Sequence, residues 1–129
     1  IQQFPEGMPA VLTGDFNVDQ TNESYALLDN SGIMRDAYQV AEFRYAMNGT
    51  FNDFKTDAKT ESRIDHLFLT PNFNVKKYGI LTDTYRAEAP ENTTAEQSGN
   101  FPKEVKIKRY VARTPSDHFP VMIVVETNK

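Results

Sequence analysis

The chain has 129 residues, a length that supports one domain with its own hydrophobic core. Hydrophobic residues make up 39% and charged residues 25%, which is typical of a soluble globular protein, either cytoplasmic or exported after removal of a leader. No apolar run approaches the roughly 20 residues of a transmembrane segment, and the absence of cysteine excludes disulfides, thiolate metal sites and cysteine nucleophiles.

The net charge of −4 argues against indiscriminate binding of nucleic acid, which depends on neutralising phosphates. Basic residues nevertheless gather late in the chain, where two interpretations stay open: the solvated face of a strand, or a rim that attracts an anionic substrate. These basic residues are Lys103, Lys106, Lys108, Arg109 and Arg113.

The apolar spacing predicts about five or six strands and one or two helices, hence an α/β (α+β) domain. The predicted strands cover residues 9–13 (buried), 50–54, 64–70, 75–83 (with a bulge at Gly79), 105–111 and 119–126. A helix is predicted over Ser24–Asn30, with Tyr25, Leu27 and Leu28 toward the core, and residues 33–40 predict a further turn or short helix. Residues 88–102 are rich in turn formers and predict a loop.

Three short carboxylate-bearing stretches lie at the ends of apolar segments, where a strand would emerge from the core. A strand end holds a side chain rigidly while leaving it open to a ligand, so convergence of these stretches would create a site for hard cations and phosphate oxygens. The stretches cover residues 14–17, 63–66 and 116–121.

Asp15 and Asn17 are two residues apart, so on an extended segment both side chains point to the same side. A carboxylate beside an amide oxygen suits a magnesium-type ion, although the same residues also form ordinary turns. A calcium-binding loop starting at Asp15 is disfavoured, because its sixth and twelfth positions hold Gln20 and Ala26 instead of glycine and a bidentate carboxylate.

Asp65 opens an apolar strand after Arg63. It would either pair with Arg63 structurally or orient a histidine and favour the charged form of that histidine. His66 points to the opposite strand face, where we expect it to pack or to lie at the surface.

Asp117 and His118 directly precede the last apolar segment. The alternatives are a polar turn, or a functional pair with Asp117 as metal ligand or base and His118 as a donor to phosphate. No serine lies in a nucleophile-elbow context and no glycine-rich nucleotide loop is present, so these chemistries are poorly supported.

Taken together, these motifs resemble the endonuclease/exonuclease/phosphatase superfamily, especially its small bacterial metal-dependent hydrolases. The matching features occur in the family's order: residues 14–17, a Tyr25–Leu28 helix, Asp36-Ala37, Thr50-Phe51, Arg63-Ile64-Asp65 and residues 116–121. The resemblance implies a catalytic set of Asp15, Asn17, Asp65 and His118, with Mg²⁺ or Mn²⁺ held by Asp117, Asp15 and Asn17.

The resemblance also implies a role for each residue. Asp15 would help to activate the attacking water, and Asn17 would bind the phosphate or a metal-bound water. His118 would contact the scissile phosphate, and Asp65 would orient it. The parent would be a phosphodiesterase, nuclease or phosphatase acting on a small phosphoester, a phospholipid headgroup or nucleic acid; the alternative is a non-catalytic binding domain that retains the fold.

Members of the superfamily are about twice as long and form a four-layer α/β sandwich of two similar halves, each contributing a sheet. For this chain the resemblance implies half of that sandwich, with one mostly antiparallel sheet of about five or six strands and one or two helices on one face. Residues 1–129 resemble the C-terminal half, whereas the family's metal-anchoring glutamate belongs to the first half. We therefore expect a fragment that has little activity alone. We also expect its uncovered sheet face to pair with the missing N-terminal half or with a second copy in a homodimer.

Overall fold

The computed structural model describes residues 3–89 and 109–128. Within these ranges the chain forms an α+β arrangement of two three-stranded sheets, one two-stranded ribbon and two short helices. The elements are β1 (Val11–Asp15), α1 (Glu23–Asp29), β2 (Arg35–Asp36), α2 (Ala37–Val40), β3 (Phe43–Tyr45), β4 (Asp65–Leu69), β5 (Phe73–Ile80), β6 (Tyr85–Glu88), β7 (Tyr110–Arg113) and β8 (Val121–Thr127).

The sheets have the strand orders β1-β4-β2, β3-β5-β8 and β6-β7. The predicted mixture of strands and helices is confirmed, but the single sheet of five or six strands is not observed. β4 and β5 follow one another in sequence without pairing. Instead, Leu69 of β4 and Tyr78 of β5 belong to one buried cluster, so the two sheets meet through side chains rather than backbone hydrogen bonds.

β4 is the central strand of its sheet and is covered on both faces. Phe68 packs with Tyr25 and Met34 on one side, whereas the adjacent Leu69 packs with Tyr78 and other residues of the larger cluster on the other. Successive strand side chains point to opposite faces, so this alternation places β4 between two hydrophobic clusters. The strand therefore provides a rigid base for the residue at its start, Asp65.

Helix α1 begins where Asn22 caps it: the Asn22 side chain accepts a hydrogen bond from the Ser24 backbone N–H at 2.9 Å. Tyr25 faces the core as predicted, but the prediction for Leu27 is wrong, because 71% of its surface is exposed. Two positions along a helix correspond to about 200° of rotation, so Leu27 and Tyr25 cannot share one face.

A buried carboxylate, Asp36, joins α1, β2 and α2. It accepts a short hydrogen bond from the Tyr25 hydroxyl, caps α2 through the Tyr38 backbone N–H at 3.0 Å, and lies 3.6 Å from the Arg63 guanidinium. Arg63 also stacks on the Tyr38 ring, with its Cζ 3.6 Å from the ring centroid. Arg63 thus pairs with Asp36, not with Asp65, which leaves the Asp65 carboxylate available to a histidine.

In the second sheet, β5 pairs with both β3 and β8, and its inward side chains join the larger cluster. The register shift between β5 and β8 lies between Val75 and Lys77, not at Gly79, which pairs regularly with Met122. The extra residue, Lys76, reaches solvent and pairs with Glu42 at 3.0 Å. A bulge whose extra residue is a solvent-facing lysine disturbs the core less than a bulge at a buried residue would.

Two further predictions are corrected, and two others lie partly outside the described residues. The sequence predicts a buried first strand, yet Val11 is 48% exposed and Leu12 is 38% exposed, because β1 is an edge strand of its sheet. The segment 50–54 is extended only at its start; Asp53 and Phe54 have φ of 53° and 59° and turn the chain. Residues 90–102 of the predicted loop and 105–108 of the predicted strand are not among the described residues.

None of the helices in the described ranges is long and apolar enough to cross a membrane.

Candidate active site

The candidate site is centred on His118, in the loop that leads into β8. Its Nδ1 lies 2.8 Å from the Asp65 Oδ2, so the imidazole donates to the first residue of β4 when Nδ1 carries the proton. Both side chains are about a quarter exposed. This hydrogen bond fixes the orientation of the imidazole and leaves Nε2 to face other groups.

Asp15, at the end of β1, lies directly across the ladder from Asp65. Two like charges at opposed strand positions destabilise a sheet unless a cation compensates them. The His118 imidazole lies close to both carboxylates. Its Nε2 is 3.7 Å from the Asp15 Oδ2, and its Nδ1 is 2.8 Å from the Asp65 Oδ2. The imidazole therefore bridges the ends of two neighbouring strands.

Asp117 adds a third carboxylate, with its Oδ1 4.0 Å from the same His118 Nε2. The loop that carries it is braced locally: the Ser116 hydroxyl accepts the His118 backbone N–H at 3.2 Å, and the Asp117 carbonyl accepts the Asn52 N–H at 2.8 Å. A single histidine thus faces three carboxylates, which leaves the site with surplus negative charge even when the imidazole is protonated.

Asn17 does not continue the strand. Its backbone has φ of 53°, a left-handed conformation that asparagine tolerates, and its N–H donates to the Asp15 Oδ1 at 2.8 Å. The expectation that Asp15 and Asn17 project together from an extended segment is therefore wrong, because the chain turns immediately after Asp15. This turn engages one oxygen of Asp15 and leaves the other, Oδ2, toward His118.

The loop carrying Asn17 is held against the segment before β4. The buried His66 ring contacts the Val18 carbonyl through Nε2 at 2.8 Å, and the Asp19 Oδ2 accepts from the Ser62 hydroxyl at 2.9 Å. His66 is thus a packing residue, as expected from its strand face. Its contact ties the loop bearing Asn17 to the strand bearing Asp65.

Thr50 and Phe51 contact the site but received no functional role from the sequence. The Thr50 hydroxyl accepts the Asp65 N–H, and the Phe51 ring meets the His118 ring edge-on, with centroids 5.3 Å apart. In the sequence, Thr50 and Phe51 belong to no spacing pattern that is typical of a functional site. The one indication of their importance is that they match the order of the family's motifs.

The site opens into a cleft of about 340 Å³. Its walls include Asp15, Asp65 and His118 together with apolar atoms of Leu67 and Phe119. Asp15, Asp65 and His118 each offer a ligand atom within 4.8 Å of the other two. Carboxylate oxygens are the ligands that Mg²⁺ and Mn²⁺ prefer, so the carboxylates of this group, rather than the imidazole, fit a hard divalent cation.

The hydrogen bond to Asp65 raises the pKa of His118 above its ordinary value, and the charges of Asp65, Asp117 and Asp15 act in the same direction, against partial burial. The protonated imidazole can donate from both nitrogens at once. With Nδ1–H on Asp65, the Nε2–H faces Asp15 and Asp117 at 3.7 and 4.0 Å, beyond hydrogen-bonding distance, and can donate to an anion that enters the cleft.

Comparison with known proteins identifies the family. The model of the endonuclease/exonuclease/phosphatase family matches residues 2–118. No curated sequence matches the chain. Among solved structures, an endonuclease/exonuclease/phosphatase family protein from Bacteroides thetaiotaomicron is 50% identical with a TM-score of 0.78, over 93% of this chain and 38% of that one.

A second solved protein from Bacteroides thetaiotaomicron, a mannosyl-6-phosphatase, is 48% identical with a TM-score of 0.76, over 94% of this chain and 39% of its own length. A family protein from Bacteroides vulgatus is 30% identical with a TM-score of 0.60, over 93% of this chain and 37% of that one. The chain therefore spans less than two-fifths of the length of these relatives. It belongs to the endonuclease/exonuclease/phosphatase family.

Proposed function

We propose that the chain supplies one wall of the active site of a metal-dependent phosphoester hydrolase. The observation that carries this proposal is the His118 imidazole, held by Asp65 and surrounded by the carboxylates of Asp15 and Asp117. Surplus negative charge favours a divalent cation, and an oriented imidazolium favours a phosphate oxygen. Metal-assisted hydrolysis of a phosphoester can use a cation and a hydrogen-bond donor to phosphate in the same cleft.

In this proposal, His118 donates its Nε2–H to a non-bridging oxygen of the phosphate and stabilises the charge that develops there. Asp65 holds the imidazole in the protonated, correctly oriented form through Nδ1. Asp15 accepts a proton from the attacking water through the oxygen that Asn17 leaves unengaged. Water forms the new bond to phosphorus and the bond to the leaving oxygen breaks. The leaving oxygen takes a proton from solvent, and Asp15 returns to solvent the proton that it accepted.

Mg²⁺ or Mn²⁺ would be held by Asp15 and Asp117, with the Asn17 amide oxygen as a further ligand. When bound, the ion would polarise the phosphate and stabilise the leaving oxygen. The support is the oxygen-rich donor set beside His118. Asp65 is a weaker choice as ligand, because its Oδ2 already accepts from His118.

We further propose that residues 1–129 correspond to the C-terminal half of the family domain, with the principal metal-anchoring glutamate outside this chain. The coverage of 38% and 39% of the two similar Bacteroides proteins supports this assignment. On this basis the chain alone has little or no activity, and the longer protein is the enzyme.

For the substrate, we propose a small phosphomonoester of a sugar. The support is the 48% identity to a protein named as a mannosyl-6-phosphatase, together with the acidic balance of the chain, which disfavours a polyanionic duplex. Phospholipid headgroups and nucleic acids become the competing substrate classes.

The test is a substrate panel assayed with the longer protein in the presence of Mg²⁺ or Mn²⁺, and again with a chelator. The panel contains mannose 6-phosphate, inositol phosphates, sphingomyelin and DNA. We expect chelator-sensitive phosphate release, fastest with the sugar phosphate. Cleavage of DNA alone would reject the substrate assignment, and inactivity toward every phosphoester would favour a non-catalytic binding domain.

A further inference from the structure

Thr50 is completely buried and lies between the two functional segments. Its hydroxyl oxygen accepts two backbone N–H groups at the start of β4, from Ile64 at 2.9 Å and from Asp65 at 3.2 Å. Its own backbone carbonyl accepts the N–H of Phe119 at 2.7 Å. One residue thus bonds to Asp65 itself and to the residue that follows His118.

The neighbouring contacts continue this connection. The Thr50 N–H donates to the Ser62 carbonyl at 3.1 Å, and Phe51 forms an antiparallel bridge with His118. Segment 50–51 therefore lies between the strand start that carries Asp65 and the loop that carries His118. Asp65 and His118 are 53 residues apart in sequence, and their 2.8 Å hydrogen bond requires these two segments to keep a fixed separation.

A threonine hydroxyl is a specific solution at this position. Two amide donors converge on one oxygen, and a buried amide without a partner is costly. Valine has nearly the same shape but offers no acceptor, so it would leave both N–H groups unsatisfied. The Asp65 backbone would then be free to reorient, and a displacement of about 1 Å at a catalytic group can reduce the rate roughly 100-fold.

We propose that Thr50 is a positioning residue that sets the Asp65–His118 hydrogen bond through the backbone of Asp65. Its catalytic consequence rests on the proposed function, whereas its effect on the geometry does not. The competing interpretation is that Thr50 is only a buried threonine whose loss weakens the fold in general.

Thr70 provides a matched control. It is also buried, and its hydroxyl also accepts a backbone N–H, from Ala10 at 3.0 Å, but it lies just beyond the opposite end of β4. Thr70→Val should therefore cost stability comparable to Thr50→Val without reaching His118. Thr50→Ser restores the hydroxyl and should preserve the site.

The experiment records the imidazole NMR signals of His118 in the chain at one fixed acidic pH, with unfolding by urea measured for every variant. We expect the downfield Nδ1–H signal in the wild type, in Thr50→Ser and in Thr70→Val. We expect that signal to be lost in Thr50→Val and in Thr50→Ala. The alanine variant avoids any packing strain from the valine side chain and therefore replaces Thr50→Val in the test if that variant does not fold. Because no turnover is measured, the result is independent of whether the substrate assignment is correct.

Retention of the signal in a folded Thr50→Val or Thr50→Ala variant would overturn the proposal. So would its loss in Thr70→Val to the same degree, because the effect would then follow general destabilisation. Failure of Thr50→Ser to keep the signal would show that the methyl group, and not the hydroxyl, holds the site.

Discussion

At the scale of single residues, the site is organised by charge compensation around one imidazole. Asp15 and Asp65 oppose each other across a strand pair, and Asp117 approaches from the loop. The His118 imidazole lies within 4.0 Å of all three carboxylates. Protonation of this imidazole would offset part of the negative charge, so we expect stability to depend on its titration.

The raised pKa of His118 determines the sign of this dependence. Folding favours the protonated imidazole, so its contribution is fully present below the ordinary value of 6.5 and is lost as pH rises through the folded pKa. We expect the free energy of unfolding, measured with urea across this window, to fall with pH in the wild type. Asp65→Asn should flatten that decline.

Asp57→Asn serves as the control for this experiment, because Asp57 is exposed and lies outside the three motifs. It should leave the pH dependence of the free energy of unfolding as in the wild type. Equal slopes for the wild type and Asp65→Asn would contradict the assigned hydrogen bond.

The sequence predicted the principal site residues because their motif order is distinctive, and the structure brings Asp15, Asp65, Asp117 and His118 together. Their chemical roles remain predictions. The partner of Arg63 could not be read from the sequence, since Asp65 was the nearer candidate along the chain and Asp36 becomes its neighbour only through folding.

At the scale of elements, β4 carries the site because it is packed on both faces. Strands of five or more residues with clear apolar spacing, such as β4 and β8, were predictable from the sequence. β2 and β3, with two and three residues, were not, because so short a segment has no measurable period. The exposure of β1 depends on its edge position, which local sequence does not encode.

Phe68 tests the importance of this packing, since it is fully buried against Tyr25 and Phe16. We expect Phe68→Ala to reduce the free energy of unfolding by about 3–5 kcal/mol, because it leaves a cavity in the smaller cluster. Leu27→Ala, on the exposed face of α1, should change it by less than about 0.5 kcal/mol. Similar effects of the two substitutions in urea unfolding would contradict the described packing.

At the scale of the whole molecule, apolar side chains remain exposed on the outer face of the second sheet. Phe43 is 60% exposed and Tyr45 64%, and both lie on the same face as Met122 and Val124, which are also exposed. Such a surface is unusual on a soluble monomer. Together with the partial coverage of the relatives, it fits our proposal that further protein completes the fold.

We therefore expect the isolated chain to associate with itself in sedimentation velocity experiments as its concentration rises. Adding the remainder of the domain should convert it to a 1:1 complex, because the same apolar faces are then covered. A stable monomer that neither binds a hydrophobic dye nor associates with the remainder would contradict this expectation.

We have proposed that His118, held by Asp65, acts on a phosphoester. The most direct measurement is the rate of phosphate release by the longer protein with Mg²⁺, on the substrate that the panel identifies as fastest. We predict that His118→Asn lowers kcat by about 100- to 1,000-fold, as expected for loss of one preorganised donor to the transition state, while Asp57→Asn stays at the wild-type rate. A His118→Asn enzyme as fast as the wild type would contradict the account.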